Sequence, residues 1–534
     1  MVINEVRYGN RIVELCLDNV GLDCNVFTVV VGRNGCGKST LLQKICSIFI
    51  SSFLKNSYRI KDLINYEQGK EETSFDETGC LFYKLENEIH ELLIKYRTFI
   101  QNGFNLDQLP KKFRETIMND LHLSNRNTDL HVSHLINGKI KESQEQLPKI
   151  IAVSSSPFDK FLLIDESRWH RSINLLEEVY VYRGARTNVN SRKSYTRSKF
   201  DQLGASFINF FLKPEKRTNE LVPLFSYLGI REKFTVKLNF PFHFSFDQIL
   251  SEQGDGSRRA VESARFFKGM KDNTSLTDED IDRIKESVKE LNEGLFFNSS
   301  SDFFRFRNEP ISIELDIYNP NNFETNFLKD FSVLASYDLI DLVNIEFTKE
   351  DNSKFFLTDA SSGELCILFN ILAIAGAISD NSVILLDEPE LSLHPEWQRE
   401  FIPLVKEVFS QYKKCHFILA THSPHIVSSL PSNNSFVVNL ETNPAKAISG
   451  GSFSLRSSDY QLAETFNSPG HKNEYLISQL VEVLSQLSDG KEIDENFLEK
   501  IKNLIKFDSL VNDTDPVKKL LATLKKALEV LQGE

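Results

Sequence analysis

Two distant segments of this 534-residue chain carry a lysine, two hydroxyls and two carboxylates in patterns that suit a bound triphosphate. Gly32-Arg33-Asn34-Gly35-Cys36-Gly37-Lys38-Ser39-Thr40 fits G-x-x-x-x-G-K-[ST], with the apolar run Phe27 to Val31 before it and Leu41, Leu42 and Ile45 at helical spacing after it. The spacing predicts strand, loop, helix. A triphosphate needs many donors aimed at one place, and a tight glycine loop lets consecutive backbone N–H groups converge on the β-phosphate. Lys38 adds a mobile charge for the β- and γ-phosphates, and the Ser39 hydroxyl is a ligand for Mg²⁺. ATP and Mg²⁺ are therefore the expected cofactors, with all of residues 32 to 40 in the contact set.

The second segment, Val383-Ile-Leu-Leu-Asp-Glu-Pro-Glu390, is a buried-strand run ending in adjacent acids. It reads as a Walker B strand, its acids at the carboxyl end of a parallel strand where α/β ligand sites form. Asp387 is expected to hold Mg²⁺ through its water shell and Glu388 to orient or deprotonate the attacking water. Side by side, the two repel unless a cation joins them. The other reading of the pair is a helix N-terminus that attracts acids, with Asp387 as cap.

Two more segments suggest a class. Ala360-Ser361-Ser362-Gly363-Glu364, followed by the apolar stretch Leu365 to Ile378, resembles the signature motif of ABC-type ATPases, and Ala420-Thr421-His422-Ser423-Pro424 resembles their switch-histidine loop. Singly, Ser-Gly-Glu is a common helix start and His422 an ordinary loop histidine; it is their order around the two Walker segments that carries the resemblance. In that family the signature serine and glycine reach the γ-phosphate bound by the other protomer, which implies a homodimer or a higher even-numbered oligomer. The continuation Glu390-Leu-Ser-Leu-His-Pro395 is similar to the soluble branch that includes RecF, Rad50 and OLD-family ATPases, rather than to transporter ATPases. The D-loop then falls at Leu391 to Pro395, with Pro395 at a first helical position where its missing N–H costs nothing.

The expected fold is α/β: an ABC-type ATPase head, with an antiparallel lobe and a RecA-like parallel core, interrupted by a large, mostly helical insertion and followed by a helical region. The boundaries read as 1–50 for the first part of the head, 51–330 for the insertion, 331–460 for the rest of the head and 461–534 for the C-terminal helices. Residues 3 to 17 suggest an antiparallel pair that joins Phe27 to Val31 in the first lobe. Helical stripes are expected at Leu85, Ile89, Leu92, Tyr96 and Ile100, and at Ile281, Ile284, Val288 and Leu291 after a cap at Thr277. No heptad run supports a long coiled-coil arm. Three amphipathic helices are read after residue 470, the last opened by Asp515-Pro516.

With 41% hydrophobic and 26% charged residues the composition is that of an ordinary globular protein. No apolar run reaches the roughly 20 residues that span a bilayer and no basic-then-apolar leader pattern is present, so the expectation is a cytoplasmic protein without a membrane partner. Seven cysteines without C-x-x-C spacing read as buried thiols in a reducing compartment. A formal charge of −13 argues against a surface that grips nucleic acid everywhere. One local stretch, Tyr180 to Phe200, carries Arg183, Arg186, Arg192, Lys193, Arg197 and Lys199 with interleaved aromatics and no acid. It is the nucleic-acid candidate; a solvated polar loop is the other reading.

Within the insertion, Ser155-Ser-Pro-Phe-Asp-Lys-Phe161 and Tyr180-Val-Tyr-Arg-Gly-Ala-Arg186 read as strand ends placed at about 148–186 in the head. This pair is similar to segments of the PtuA-type ATPases of Septu and retron anti-phage systems. The resemblance, which covers most of the chain in outline, implies a defence role and a separate HNH-type nuclease as partner. In the retron form it also implies a reverse transcriptase with its RNA–DNA product. Asp513-Thr-Asp515 has the spacing of a Toprim acid pair, as in OLD-family relatives, but precedes a helix without a strand and reads as a cap. The eleven histidines form no HNH-like cluster, so an ATPase without a nuclease of its own is expected. Two further functions fit the motifs: a RecF- or Rad50-like repair ATPase that binds DNA directly, and a scaffold that holds nucleotide without turnover. A Q-loop glutamine is not placed; Gln68 is a weak guess.

Overall fold

The computed structural model describes residues 1–17, 24–56, 76–85, 88–97, 104–105, 129–140, 148–156, 159–161, 179–184, 204, 206, 210, 220–239, 246–251, 255–267, 276–294, 310–316, 329–335, 337, 339–489 and 494–532. The chain is an α/β protein, and its described residues form three sheets. Its strands are β1 (Val2–Tyr8), β2 (Arg11–Glu14), β3 (Val26–Val31), β4 (Asp76–Leu85), β5 (Glu88–Arg97), β6 (Phe104–Asn105), β7 (Asp129–Ile136), β8 (Lys139–Ile140), β9 (Ile150–Ser154), β10 (Tyr180–Arg183), β11 (Ile230–Asn239), β12 (Ile311–Asp316), β13 (Asp341–Lys349), β14 (Lys354–Phe356), β15 (Val383–Asp387), β16 (His416–Ala420), β17 (Ser435–Asn439) and β18 (Ala447–Ser449).

The central sheet runs β10-β9-β15-β16-β3-β17-β18 and is parallel except at the β17–β18 edge. Its inner strands are apolar on both faces because both are covered. Phe27, Val29, Ile384, Leu386, Phe417 and Leu419 point into one core with the helix Ser362–Ala375. Val26, Val30, Val383, Leu385, Ile418 and Ala420 point into the other, with the helix Lys38–Asn56 and the antiparallel sheet β2-β1-β4-β5-β7-β6. Period-2 alternation along each strand thus divides the side chains between two cores. The third sheet, β12-β11-β13-β14, and the helix Asp278–Gly294 pack into the first core through Phe234, Val236, Phe347, Ile284 and Val288.

Two expectations are corrected. The stripe from Leu85 to Ile100 is not helical: its described part lies in β4 and β5, paired antiparallel with His90 opposite Tyr83. Nor does Phe27 to Val31 join the strand pair β1–β2; β3 sits inside the parallel sheet between β16 and β17. The pair itself forms, with Glu5 opposite Glu14. Between residues 51 and 330 the described residues hold strands of all three sheets as well as helices, so helix is not the only currency of the insertion. The helix after Thr277 is present, with the Thr277 hydroxyl accepting from the Asp280 N–H at 3.2 Å.

The two main layers are joined by a buried polar relay. His416, fully buried in β16, accepts the Ile3 N–H on Nδ1 (3.1 Å), which leaves Nε2–H to meet the Thr28 hydroxyl at 2.8 Å; that hydroxyl in turn donates to the Leu15 carbonyl at 2.7 Å. Burial drives the His416 pKa down to about 3. The C-terminal helices Glu474–Ser488, Glu495–Ile505 and Pro516–Gln532 form a third, separate core. Asp515 caps the last of them, accepting the Val517 N–H at 2.9 Å. Of the seven thiols five are buried, Cys36 is partly covered and Cys24 is exposed, so the expectation of uniformly buried cysteines fails at Cys24. No described helix is long and apolar enough to cross a membrane.

Candidate functional site

Strand register assembles the site. β15 pairs with β16 so that Asp387 lies beside Ala420, and β16 pairs with β3 so that Ala420 lies beside Val30. Three parallel strands therefore end flush, and the loops that follow them, 388–394, 421–423 and 32–37, open at one edge, where ligands bind in open α/β sheets.

The glycine loop turns as the motif requires. Gly35 and Gly37 take φ of +80° and +102°, values that side-chain-bearing residues rarely adopt, and the helix begins at Lys38. Lys38 is 6% exposed and its ammonium donates to the loop's own carbonyls, Gly32 at 2.9 Å and Arg33 at 3.4 Å. Burial lowers its pKa, opposed by Cys36 and by Glu388, Asp387 and Glu390. Arg11 holds the loop from the antiparallel sheet by donating to the Cys36 carbonyl at 2.8 Å, and the Arg33 N–H donates to Glu441 at 3.0 Å. Asn34 and Gly35 sit at the exposed tip.

The Ser39 hydroxyl donates to Asp387 Oδ1 at 3.0 Å, so the two residues expected to share a metal ion meet. Asp387 is 2% exposed and its pKa is pushed up to about 7, first by burial, then by Glu388, Asp159 and Glu390, against the opposing Ser39 hydroxyl. Among the described residues no three or more His, Cys, Asp or Glu converge as a metal cage. A hydroxyl and one carboxylate at a buried, acid-crowded point fit Mg²⁺, which keeps waters and takes phosphate oxygens rather than an all-protein cage. Glu388 follows with φ of +51°, a strained value for a glutamate, pinned by its N–H to the Ala420 carbonyl at 2.9 Å. His422, half-buried on the neighbouring loop, has its pKa lowered by burial and then by Lys38.

The segment Ser361–Glu364 stands at the start of its helix. Ser361 caps it, accepting the Glu364 N–H at 3.2 Å while Glu364 accepts the Ser361 N–H at 2.8 Å. Burial pushes Glu364 up, but these bonds and Lys349 outweigh it and hold the carboxyl below its ordinary value. Ser361 and Ser362 are exposed, and a Cβ on Gly363 would lie 3.1 Å from the Trp397 ring. The helix is tied to the segment that follows β15 by Cys366, whose thiol meets the Leu391 carbonyl at 3.0 Å.

Residues not singled out in the sequence also reach the edge. Lys160 donates to the Thr40 hydroxyl at 2.9 Å, and Asp159, which acts on Asp387 electrostatically, accepts from the Tyr182 hydroxyl at 2.8 Å. That Tyr182 ring folds over Gly184, where a Cβ would lie 2.0 Å from the phenol oxygen; this is why the Tyr-x-Tyr-x-Gly segment needs its glycine. Both positions were legible only as part of a family-like segment, with no spacing to mark them. Glu390 was visible as the third acid of Asp-Glu-Pro-Glu, yet nothing in the sequence tied it to the loop 421–423. Of the basic stretch, Arg183 ends β10 and donates to the Ser206 hydroxyl at 3.1 Å; Arg186, Arg192, Lys193, Arg197 and Lys199, like Gln68, lie outside the described residues.

A family model described as "AAA ATPase domain" matches residues 13–427. The chain belongs to that family. It is 21% identical over 480 residues to the "Retron Vc95 probable ATPase" of Vibrio cholerae serotype O1 biovar El Tor, covering 87% of this chain and 79% of that one. It is 23% identical over 298 residues to the "Septu protein PtuA" of Bacillus thuringiensis, covering 50% and 72%. A shorter match, 32% over 124 residues, spans 20% of this chain and 21% of the "Retron Ec83 probable ATPase" of Escherichia coli. The resemblance to PtuA and retron ATPases read from the motifs is thus borne out. Among solved structures, the "SMC head domain from Thermotoga maritima" aligns over 84% of this chain and 99% of that one at 11% identity and a TM-score of 0.30, too distant to add to what the sheet order establishes.

Proposed function

We propose that this AAA-family ATPase is of the ABC class, binds Mg-ATP on the loop 32–40, and hydrolyses it between two copies of the chain to control a partner nuclease in anti-phage defence. The observation that carries the reading is the flush ending of β3, β15 and β16, which gathers Lys38, the Ser39–Asp387 pair, Glu388 and His422 at one edge. In this reading loop N–H groups and Lys38 hold the β- and γ-phosphates, Ser39 and Asp387 hold Mg²⁺, and Glu388 aligns and deprotonates the attacking water. Mg²⁺ would supply charge neutralisation on the phosphate oxygens. His422, whose pKa burial and then Lys38 lower, would donate or accept at the γ-phosphate edge.

The exposed start of the helix at Ser361–Ser362 supports closure in trans: a serine-capped helix N-terminus at the surface suits an anion brought by another molecule. The defence role and the nuclease partner rest on the likeness to retron and Septu proteins. The test is a comparison of the unmodified chain with Glu388→Gln, with and without a co-purified native partner. Turnover by the first and an ATP-trapped dimer for the second are expected. Equal, negligible turnover in both would replace hydrolysis with a nucleotide-holding scaffold. DNA binding by the chain alone that falls steeply with salt would point instead to direct DNA engagement.

A further inference from the structure

We propose that Glu390 is a positioning residue, the strut that sets the switch loop bearing His422 against the Walker B strand. The proposal rests on the reading of His422 as a switch residue. A single oxygen of Glu390, Oε1, accepts from both the Thr421 hydroxyl and the His422 backbone N–H, each at 2.7 Å. Thr421 is fully buried, so its hydroxyl depends on a protein partner. The other oxygen, Oε2, is buried without a hydrogen-bond partner. Placing a carboxylate there is costly for stability alone, which sets Glu390 apart from a residue kept for packing.

A second strut runs parallel. Gln398 accepts from the Ser423 hydroxyl at 2.6 Å and donates from Nε2 to the Leu393 carbonyl at 2.9 Å. The segment 390–393 and the switch segment 421–423 are therefore cross-braced by two side chains, one on each side of His422. Movement of Leu391–Leu393, where a second copy would press in the proposed dimer, reaches His422 through Glu390. The bracing needs an acceptor at Oε1, not a charge, and this separates a strut from an acid that takes part in chemistry.

The experiment uses the full chain and four variants: Glu390→Ala, Glu390→Gln, His422→Ala and the double Glu390→Ala/His422→Ala. In Glu390→Ala, kcat with Mg-ATP is expected to fall about 10²-fold while KM stays within about threefold, the pattern of a misplaced group rather than lost binding. Glu390→Gln, which keeps the acceptor, is expected to recover most of that loss, and the double variant to turn over no more slowly than His422→Ala. Independently of turnover, diethyl pyrocarbonate modification of His422, read by peptide mass spectrometry in nucleotide-free protein, is expected to speed up several-fold in Glu390→Ala and not in Glu390→Gln. Unchanged labelling in Glu390→Ala, or a glutamine variant as inactive as the alanine one, overturns the proposal. If the unmodified chain shows no turnover above Glu388→Gln, the ATPase reading fails and the labelling arm still decides the role of Glu390.

Discussion

Lys38 donates to carbonyls of its own loop, and Asp387 accepts from the Ser39 hydroxyl. Both residues are buried, so the polar contacts of each are with protein groups. Lys38→Ala is expected to weaken Mg-ATP binding by at least about tenfold, the loss of a charge-assisted contact, and to abolish the rise in melting temperature that nucleotide gives the unmodified chain. A retained rise would remove Lys38 from the phosphate site. Asp387 makes the complementary case. Its carboxylate is crowded by Glu388, Asp159 and Glu390, so Asp387→Asn relieves repulsion and should leave the nucleotide-free protein at least as stable as the original. The same change should cost Mg-ATP turnover by about 10²–10³-fold, the scale of removing one electrostatic stabiliser. Paired calorimetry and turnover assays check both; a destabilised, active Asn variant would reverse the assignment.

At the scale of elements, the junction between the antiparallel and parallel sheets rests on His416. Its folded pKa is near 3 while an exposed histidine takes its proton near 6.5. Between those values the unfolded chain binds the extra proton, so stability rises with pH across the window and is lost as pH falls from about 6.5 toward 3, at up to ~1.4 kcal/mol per pH unit for this one group. His416→Gln should flatten the pH dependence of the denaturation midpoint by about one proton's worth over that range; an unchanged slope would mean that His416 takes its proton while folded. The relay was not legible in the sequence, since a histidine in Cys-His-Phe-Ile-Leu gives no sign of neighbours at Ile3 and Thr28. What was legible had short-range rules behind it. The loop 32–40, the acids after β15 and the capped helix at Ser361 follow from local pattern, and the structure places each at a strand or helix end. β5 was misread because Glu88–Arg97 satisfies two periods at once. Ile89, Leu92 and Tyr96 make a helical stripe, whereas the strand turns His90 and Leu92 inward and leaves Ile89 at 54% exposure. A buried histidine beside an exposed isoleucine inverts the polarity signal that pattern reading depends on. Glu390 and Asp159 escaped for a different reason, because their partners lie across the sheet and contacts of that range leave no spacing to read.

For the whole molecule, the proposed closure brings together two bodies that each carry a formal charge of −13, with serine-capped helix starts presented to each other's nucleotide. Like charge opposes the encounter, and salt screens it over a Debye length of about 8–10 Å near physiological strength. Closure driven by the bound triphosphate should therefore strengthen as salt rises from about 50 to 200 mM, the opposite of a nucleic-acid contact, which weakens over that interval through counterion release. Glu388→Gln with Mg-ATP, followed by analytical ultracentrifugation across that range, should show the dimer fraction rising with salt. Ser361→Arg places a bulky side chain at an exposed cap, so it should abolish the dimer while leaving monomer nucleotide affinity within about threefold. If Ser361→Arg still dimerises with ATP, the helix start at Ser361 does not meet the partner's nucleotide. If the dimer fraction falls with salt instead, the heads are joined by opposite charges or by a bridging nucleic acid, and closure on the triphosphate is not what holds them.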